Sequence, residues 1–272
     1  MALGDLGKKV SDALSKTIKG VGDVGKTTIE VARSNLVEGL RGARDVVKEA
    51  SGLAGDTVAG AIHAASQAGA ELGTAAKGAV IGTIKGVGEV TTVTTGVISD
   101  TIRAAIKGTG EVGGDVTKVA RDVADGALST AKSVGMGLED AAFSIARGAI
   151  QGANDTGKDM TSVAKSTIHG TISAAQETGD DVIKAIYGTA RGTIKGTSEV
   201  GGDLASVARN AVEGAIEGAK EVAVNSEEAA SAAASGAVEA AKDISESAVK
   251  AVTDAVSGTI AGVKVVIKSP FK

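Results

Sequence analysis

The chain has 272 residues, with 29 basic against 33 acidic side chains, 39 Gly, two Phe, one Tyr and neither Trp nor Cys. The balance of charge offers no basic footprint for nucleic acid, and the missing thiols exclude disulfides, thiolate metal sites and cysteine nucleophiles. With so few rings, the core must be built from Ala, Val and Ile.

Residues 1–15 read as a helical lead-in, with Leu6, Val10 and Leu14 four apart. The opening MALGDLGKKVSDALSK holds no apolar signal core. No run of 18 apolar residues occurs anywhere. The expected location is therefore cytoplasmic, with membrane association as the alternative.

From Lys16 to Ile260 the chain repeats every 22 residues, in twelve in-phase units without an insertion. Counting Lys16 as position 1, position 3 is aliphatic throughout, as at Ile84, Ile106, Ile150, Ile172, Ile194 and Ile216. Position 5 is small and mostly glycine: Gly20, Gly42, Gly86, Gly108, Gly152, Gly196 and Gly218. Position 17 is mostly alanine, and positions 8 and 12 are often acidic. Each unit splits into two similar halves of eleven, with apolar or small residues spaced three, one, three and four. This is the hendecad pattern of an α-helix with about 3.67 residues per turn. The fold class expected is all-α: long amphipathic helices in a right-handed or straight bundle. With no proline before Pro270, a single helix would reach on the order of 400 Å; bends at pairs such as Gly201-Gly202 would instead fold it into hairpins. Both arrangements fit the sequence. Residues 261–272, short, basic and β-branched, read as a C-terminal tail.

Glycine inside helices costs roughly 1 kcal/mol each relative to Ala, so 39 of them need compensation. Close approach of another helix supplies it. Pairs four apart, as in GTIKG, GAIQG and GAIEG, have the small-xxx-small spacing that permits this. The position-5 glycines and position-3 isoleucines named above are the expected packing residues. On a helical projection, position 18 (Arg33, Lys77, Arg121, Lys165, Arg209) makes one shoulder of the apolar arc basic. Positions 8 and 12 (Glu111, Asp115, Asp159, Asp181, Glu199, Asp203) make the other acidic. Opposed shoulders suit a neighbouring helix, and the width of the apolar arc calls for more than two helices around a core.

Gly20–Thr27, GVGDVGKT, matches the phosphate-loop spelling. However, no strand run precedes it, and its glycines sit at ordinary repeat positions. His63 and His169 have no metal-ligand spacing, and Phe143 and Tyr187 both fall at position 18. No catalytic, cofactor or metal site is expected.

TIKGVGEV at Thr83–Val90, and Lys26-Thr27, resemble the synuclein-type repeat unit. The period is also similar to that of apolipoproteins, perilipins and late-embryogenesis-abundant proteins. That resemblance implies amphipathic helices on a lipid surface, in some of these families folding on contact. The chain differs in lacking the prolines that punctuate apolipoprotein repeats. Two functions follow: a non-enzymatic, self-assembling helical scaffold, expected as a homo-oligomer, and alternatively a lipid-surface coat. A stress-protective chain, disordered until dried or bound, ranks behind both.

Overall fold

The computed structural model describes residues 3–18, 23–43 and 45–267. Among them are twelve α-helices. They are α1 (Asp5–Thr17), α2 (Val24–Gly42), α3 (Val46–Ala68), α4 (Leu72–Val90), α5 (Thr95–Glu111) and α6 (Val116–Ala131), then α7 (Leu138–Asp155), α8 (Met160–Thr178), α9 (Val182–Glu199), α10 (Leu204–Glu221), α11 (Ser226–Lys242) and α12 (Glu246–Val256). The period therefore appears as short helices, each spanning the boundary between two successive units from α2 to α11, with α1 beginning in the lead-in and α12 inside one unit, and the single long helix is not formed. No eleven-residue seam runs on from one helix into the next, because a turn interrupts it once per unit.

The turn is written at positions 8–12. Around Glu111-Val112-Gly113-Gly114-Asp115, Gly113 takes the left-handed conformation (φ 77°), and the Gly114 amide donates to the Thr109 carbonyl at 2.8 Å. This is the Schellman closure of a helix C-terminus. The Asp115 carboxylate then accepts from the amides of Thr117 and Lys118 at 2.9 and 3.1 Å and starts the next helix. Glycines 69, 135, 157, 179 and 201 repeat the left-handed step. Position-12 residues Asp159, Asp181 and Asp203 repeat the cap. These aspartates therefore do not form an acidic shoulder along a helix, as the projection suggested. They spend their charge on the orphan amides of helix N-termini. Where the turn glycine is missing, at Val47, α3 begins one turn earlier, on Asp45.

Helices alternate between two layers. Odd-numbered helices pack successively on one another, and even-numbered ones do the same. Consecutive helices meet less extensively across the layers. Within a layer the helices are parallel. Glycines 188, 192 and 196 of α9 face the carbonyls of Glu139, Phe143 and Arg147 of α7, each 49 residues back along the chain. An antiparallel pair would not hold a constant offset.

The closest approaches fall at position 1, the first glycine of each G-x-x-x-G. A Cβ on Gly148 would overlap the Ser99 carbonyl, one on Gly170 that of Arg121, and one on Gly192 that of Phe143. The expected position-5 glycines are placed as follows. At Gly152 and Gly196 an added Cβ would stand 2.9 and 3.0 Å from the carbonyls of Arg103 and Arg147. Gly86 stands 3.2 Å from that of Arg33, while Gly108 and Gly218 face the side chains of Ile62 and Ile172. Gly42, at the end of α2, meets nothing within 4 Å, and Gly20 lies outside the described residues. Ile84, Ile106, Ile150, Ile172, Ile194 and Ile216 are all buried.

Backbones this close leave room only for small side chains between them. Ala, Val and Ile, with several Leu, fill a main core that extends from Leu6 to Val265, beside a small second cluster of Ile150, Ala164 and Val207. Buried threonines, Thr83 excepted, act as valines whose hydroxyls return to their own helix, as Thr193 to the Thr189 carbonyl and Thr197 to the Thr193 carbonyl, both at 2.8 Å.

The lead-in is α1, which packs on α3 like any other unit. At the other end a two-stranded hairpin, Gly258–Ile260 with Val263–Val265, lays Ile260 and Val265 against the stack. It crosses the expected boundary at residue 260. Its three-residue strands are too short to show as alternation in the sequence.

The glycine contacts define an expected contrast. Gly192→Ala should lower stability by about 1–3 kcal/mol, because the methyl group has nowhere to go. Gly52→Ala, inside α3 with nothing within 4 Å, should raise it by about 0.5–1 kcal/mol. Urea midpoints of the two variants against the parent check this.

Candidate functional site

Charged residues on each layer are organised by the same two-helix step. In the odd layer Arg103 of α5 clamps Asp155 of α7 through Nε and Nη2 at 2.7 and 2.9 Å. Arg147 of α7 donates to Glu199 of α9 at 2.7 Å, again 52 residues on. Arg191 of α9 turns back to Glu139 of α7 at 2.7 Å. Its guanidinium lies 5.6 Å from the Phe143 ring centre and 5.8 Å from that of Tyr187. In the even layer Lys77 pairs with Asp125, Lys165 with Glu217, and Arg33 with Glu89. Exposed pairs of this kind are worth tenths of a kcal/mol. They fix which helix follows which more than they hold it there.

The odd-layer ladder is interrupted between α3 and α5. Gly55 and Ala59 of α3 occupy the positions where α7 carries Phe143 and Arg147. At position 1 α5 has Ala104 in place of glycine, and the tight backbone contact is replaced by a 3.8 Å contact to a Cβ built on Gly55. A groove of about 250 Å³ opens there, floored by Gly52, Gly55, Ala59 and Ala104 and walled by Asp56, Asp100, Arg103 and Lys107. A second hollow of about 170 Å³ shares Ala59 with it and is bounded by Leu3, His63, Gly108, Glu111 and Val112. Asp56 accepts from the Gly4 amide, yet burial, with help from Asp5, holds its carboxyl above the ordinary range. His63 Nε2 is 2.9 Å from the Gln67 amide nitrogen. Among the described residues Glu111 has no ion-pair partner, whereas Asp155 and Glu199, at the same repeat position, each hold an arginine. Chemically this is a cleft with a small-residue floor, mixed charges on its walls and one carboxylate at its rim.

The phosphate-loop spelling resolves differently. Its described part is the first turn of α2, where the Asp23 carboxylate accepts from the Lys26 amide at 3.0 Å. A carboxylate already occupies the place a phosphate would take; Gly20, Val21 and Gly22 lie outside the described residues. His63 and His169 lie in different layers, and among the described residues no three His, Asp or Glu side chains converge on a metal position. The two-layer ladder was not foreseen, although its signal is plain. Arg33, Lys77, Arg121, Lys165 and Arg209 recur at intervals of 44, one basic residue per pair of helices.

The fold is that of an all-α helical repeat protein. No protein-family model and no curated protein matches the chain. Among solved structures it is similar to the de novo designed helical repeat protein DHR7, at 20% identity and a TM-score of 0.38, over 62% of this chain and 94% of that one.

His169 of α8 marks a pH-sensitive point in the even layer. Its ring faces Glu217 and Glu221 of α10 at 3.8 and 3.5 Å, Arg121 of α6, and Lys165 of its own helix. Burial, aided by the two cations and opposed by the two glutamates, pushes its pKa below the ordinary 6.5. The unfolded chain therefore takes up the proton first, and stability falls as pH drops below about 6.5. In His169→Gln the loss between about pH 6.5 and 5 should be smaller, as chemical denaturation at several pH values will show.

Proposed function

We propose that the chain is a non-enzymatic scaffold: a helical-repeat spacer that folds without lipid and presents its side-chain ladders and the α3–α5 groove to partners. The single observation that carries this reading is where the apolar face goes. It is covered along the whole stack by helices of the same chain, through a core running from Leu6 to Val265. Among the described residues only Val47 and Val266 are large hydrophobic side chains left exposed. A lipid coat needs the opposite, an apolar face free to enter the interface. No described helix is long and apolar enough to cross a membrane.

Self-assembly belongs to the same proposal. The lateral faces of the helices are already used within the chain, so copies would associate through the ends of the stack.

Circular dichroism and light scattering on the purified chain in lipid-free buffer test the reading. The expected result is a strongly helical, cooperatively unfolding particle of defined mass, with no gain of helix on anionic vesicles. A disordered chain that becomes helical only on vesicles would overturn it in favour of the lipid coat.

A further inference from the structure

Two successive steps of the ladder share a register: an arginine in one odd helix meets a carboxylate 52 residues later in the next odd helix, as Arg103 with Asp155 and Arg147 with Glu199, while Arg191 turns back to Glu139. Applied one step earlier, that register joins Ala59 of α3 to Glu111 of α5. The carboxylate is present and the guanidinium is not. Both residues border the same hollow of about 170 Å³, the space of roughly five or six waters. Leu3, Ala59 and Gly108 give the hollow apolar walls against which a methylene stem can lie, while Glu111 stands at its rim.

We propose that this hollow is a subsite for an arginine side chain of a partner peptide, which supplies from outside the guanidinium that the ladder lacks at Ala59. The occupant is chosen by the chemistry of the neighbouring steps. A guanidinium is planar and offers a fork of N–H donors, and Arg103 uses such a fork on Asp155 in this same layer. A lysine ammonium lacks the fork. The adjoining groove of about 250 Å³ then receives the peptide flanking that arginine, with Asp56 and Asp100 on its walls favouring further basic residues and Lys107 favouring an acidic one. The proposal rests on the scaffold reading, since it needs a folded α3–α5 pair in the absence of lipid.

The test is an amide-resolved NMR titration of the full chain with N-acetyl-arginine methylamide, with the citrulline and lysine analogues as controls. Citrulline keeps the shape of arginine and loses the charge. The expected result is saturable shifts at Gly108, Glu111 and Val112 with arginine, and binding weaker by about tenfold or more for both analogues. Glu111→Gln should abolish the shifts while leaving the rest of the spectrum in place. Ala59→Arg should also abolish them, because it fills the hollow from within, and should raise the melting temperature by completing the ladder. Glu111→Asp, which keeps the charge, serves as the folded control if Ala59→Arg does not fold. A dispersed spectrum with no saturable shifts, or shifts equal for arginine and citrulline, or shifts that survive Glu111→Gln, would overturn the subsite and leave the scaffold standing. An undispersed spectrum in lipid-free buffer would overturn both.

Discussion

A backbone carbonyl of one helix lies where the helix two steps later has no side chain. Phe143 against Gly192, Ser99 against Gly148 and Arg121 against Gly170 are instances of this one contact, and the remaining architecture follows from it. It sets the distance between parallel helices of a layer, and that distance favours a core built mainly of Ala, Val, Ile and Thr, with Leu14, Leu36 and Leu40 toward the first helices. The near absence of aromatic residues is thus a steric consequence of the spacing. The ladder also depends on it, since a constant register between layer mates lets a 52-residue step place an arginine on a carboxylate twice in succession.

Glycine in a helix is unfavourable by roughly 1 kcal/mol relative to alanine, so the contact must give something back. Close packing increases dispersion contacts over the length of both helices, and a glycine Cα–H directed at a carbonyl adds about 0.5–1 kcal/mol. Each helix closes on its layer mate and, less extensively, on its chain neighbour, so stability accumulates locally, unit by unit. The same logic explains the exception. Ala104 takes the place of a position-1 glycine in α5, the backbone contact with α3 is released, and a groove appears at that step. Ala104 in place of glycine, with Gly55 and Ala59 in place of a ring and a guanidinium, distinguishes this open step of the stack from the sealed ones.

Much of this was legible in the sequence. The 22-residue period, the all-α class, the burial of the position-3 isoleucines and the need for backbone approach at glycine pairs all follow from residue types and spacing. The helix boundaries were not read, because the turn E-V-G-G-D keeps the period unbroken. With the same length in every unit, it fits a continuous hendecad as well as it fits a loop. What separates the two is local chemistry: a left-handed glycine at position 10 followed by an aspartate two residues later is a C-cap and then an N-cap. The layer alternation was overlooked for a related reason. At position 18 the even helices α2 to α10 carry Arg or Lys where α3 to α11 carry Gly, Ser, Phe or Tyr, so the structural repeat is 44, and averaging over 22 removes the signal. The groove could be seen only after that, because it is a departure from a 44-residue rule at Gly55, Ala59 and Ala104.

The packing of helices two apart against each other is the central claim, and a single distance tests it most directly. The chain has no cysteine, so Gln151→Cys with Glu199→Cys gives two clean positions for spin labels. The native side chains are hydrogen-bonded at 2.7 Å although 48 residues apart. Dipolar electron resonance should therefore report the short separation of two labels on adjacent helices, as a narrow distribution. A separation near 70 Å, which about 1.5 Å per residue gives for one continuous helix, would contradict the two-layer stack.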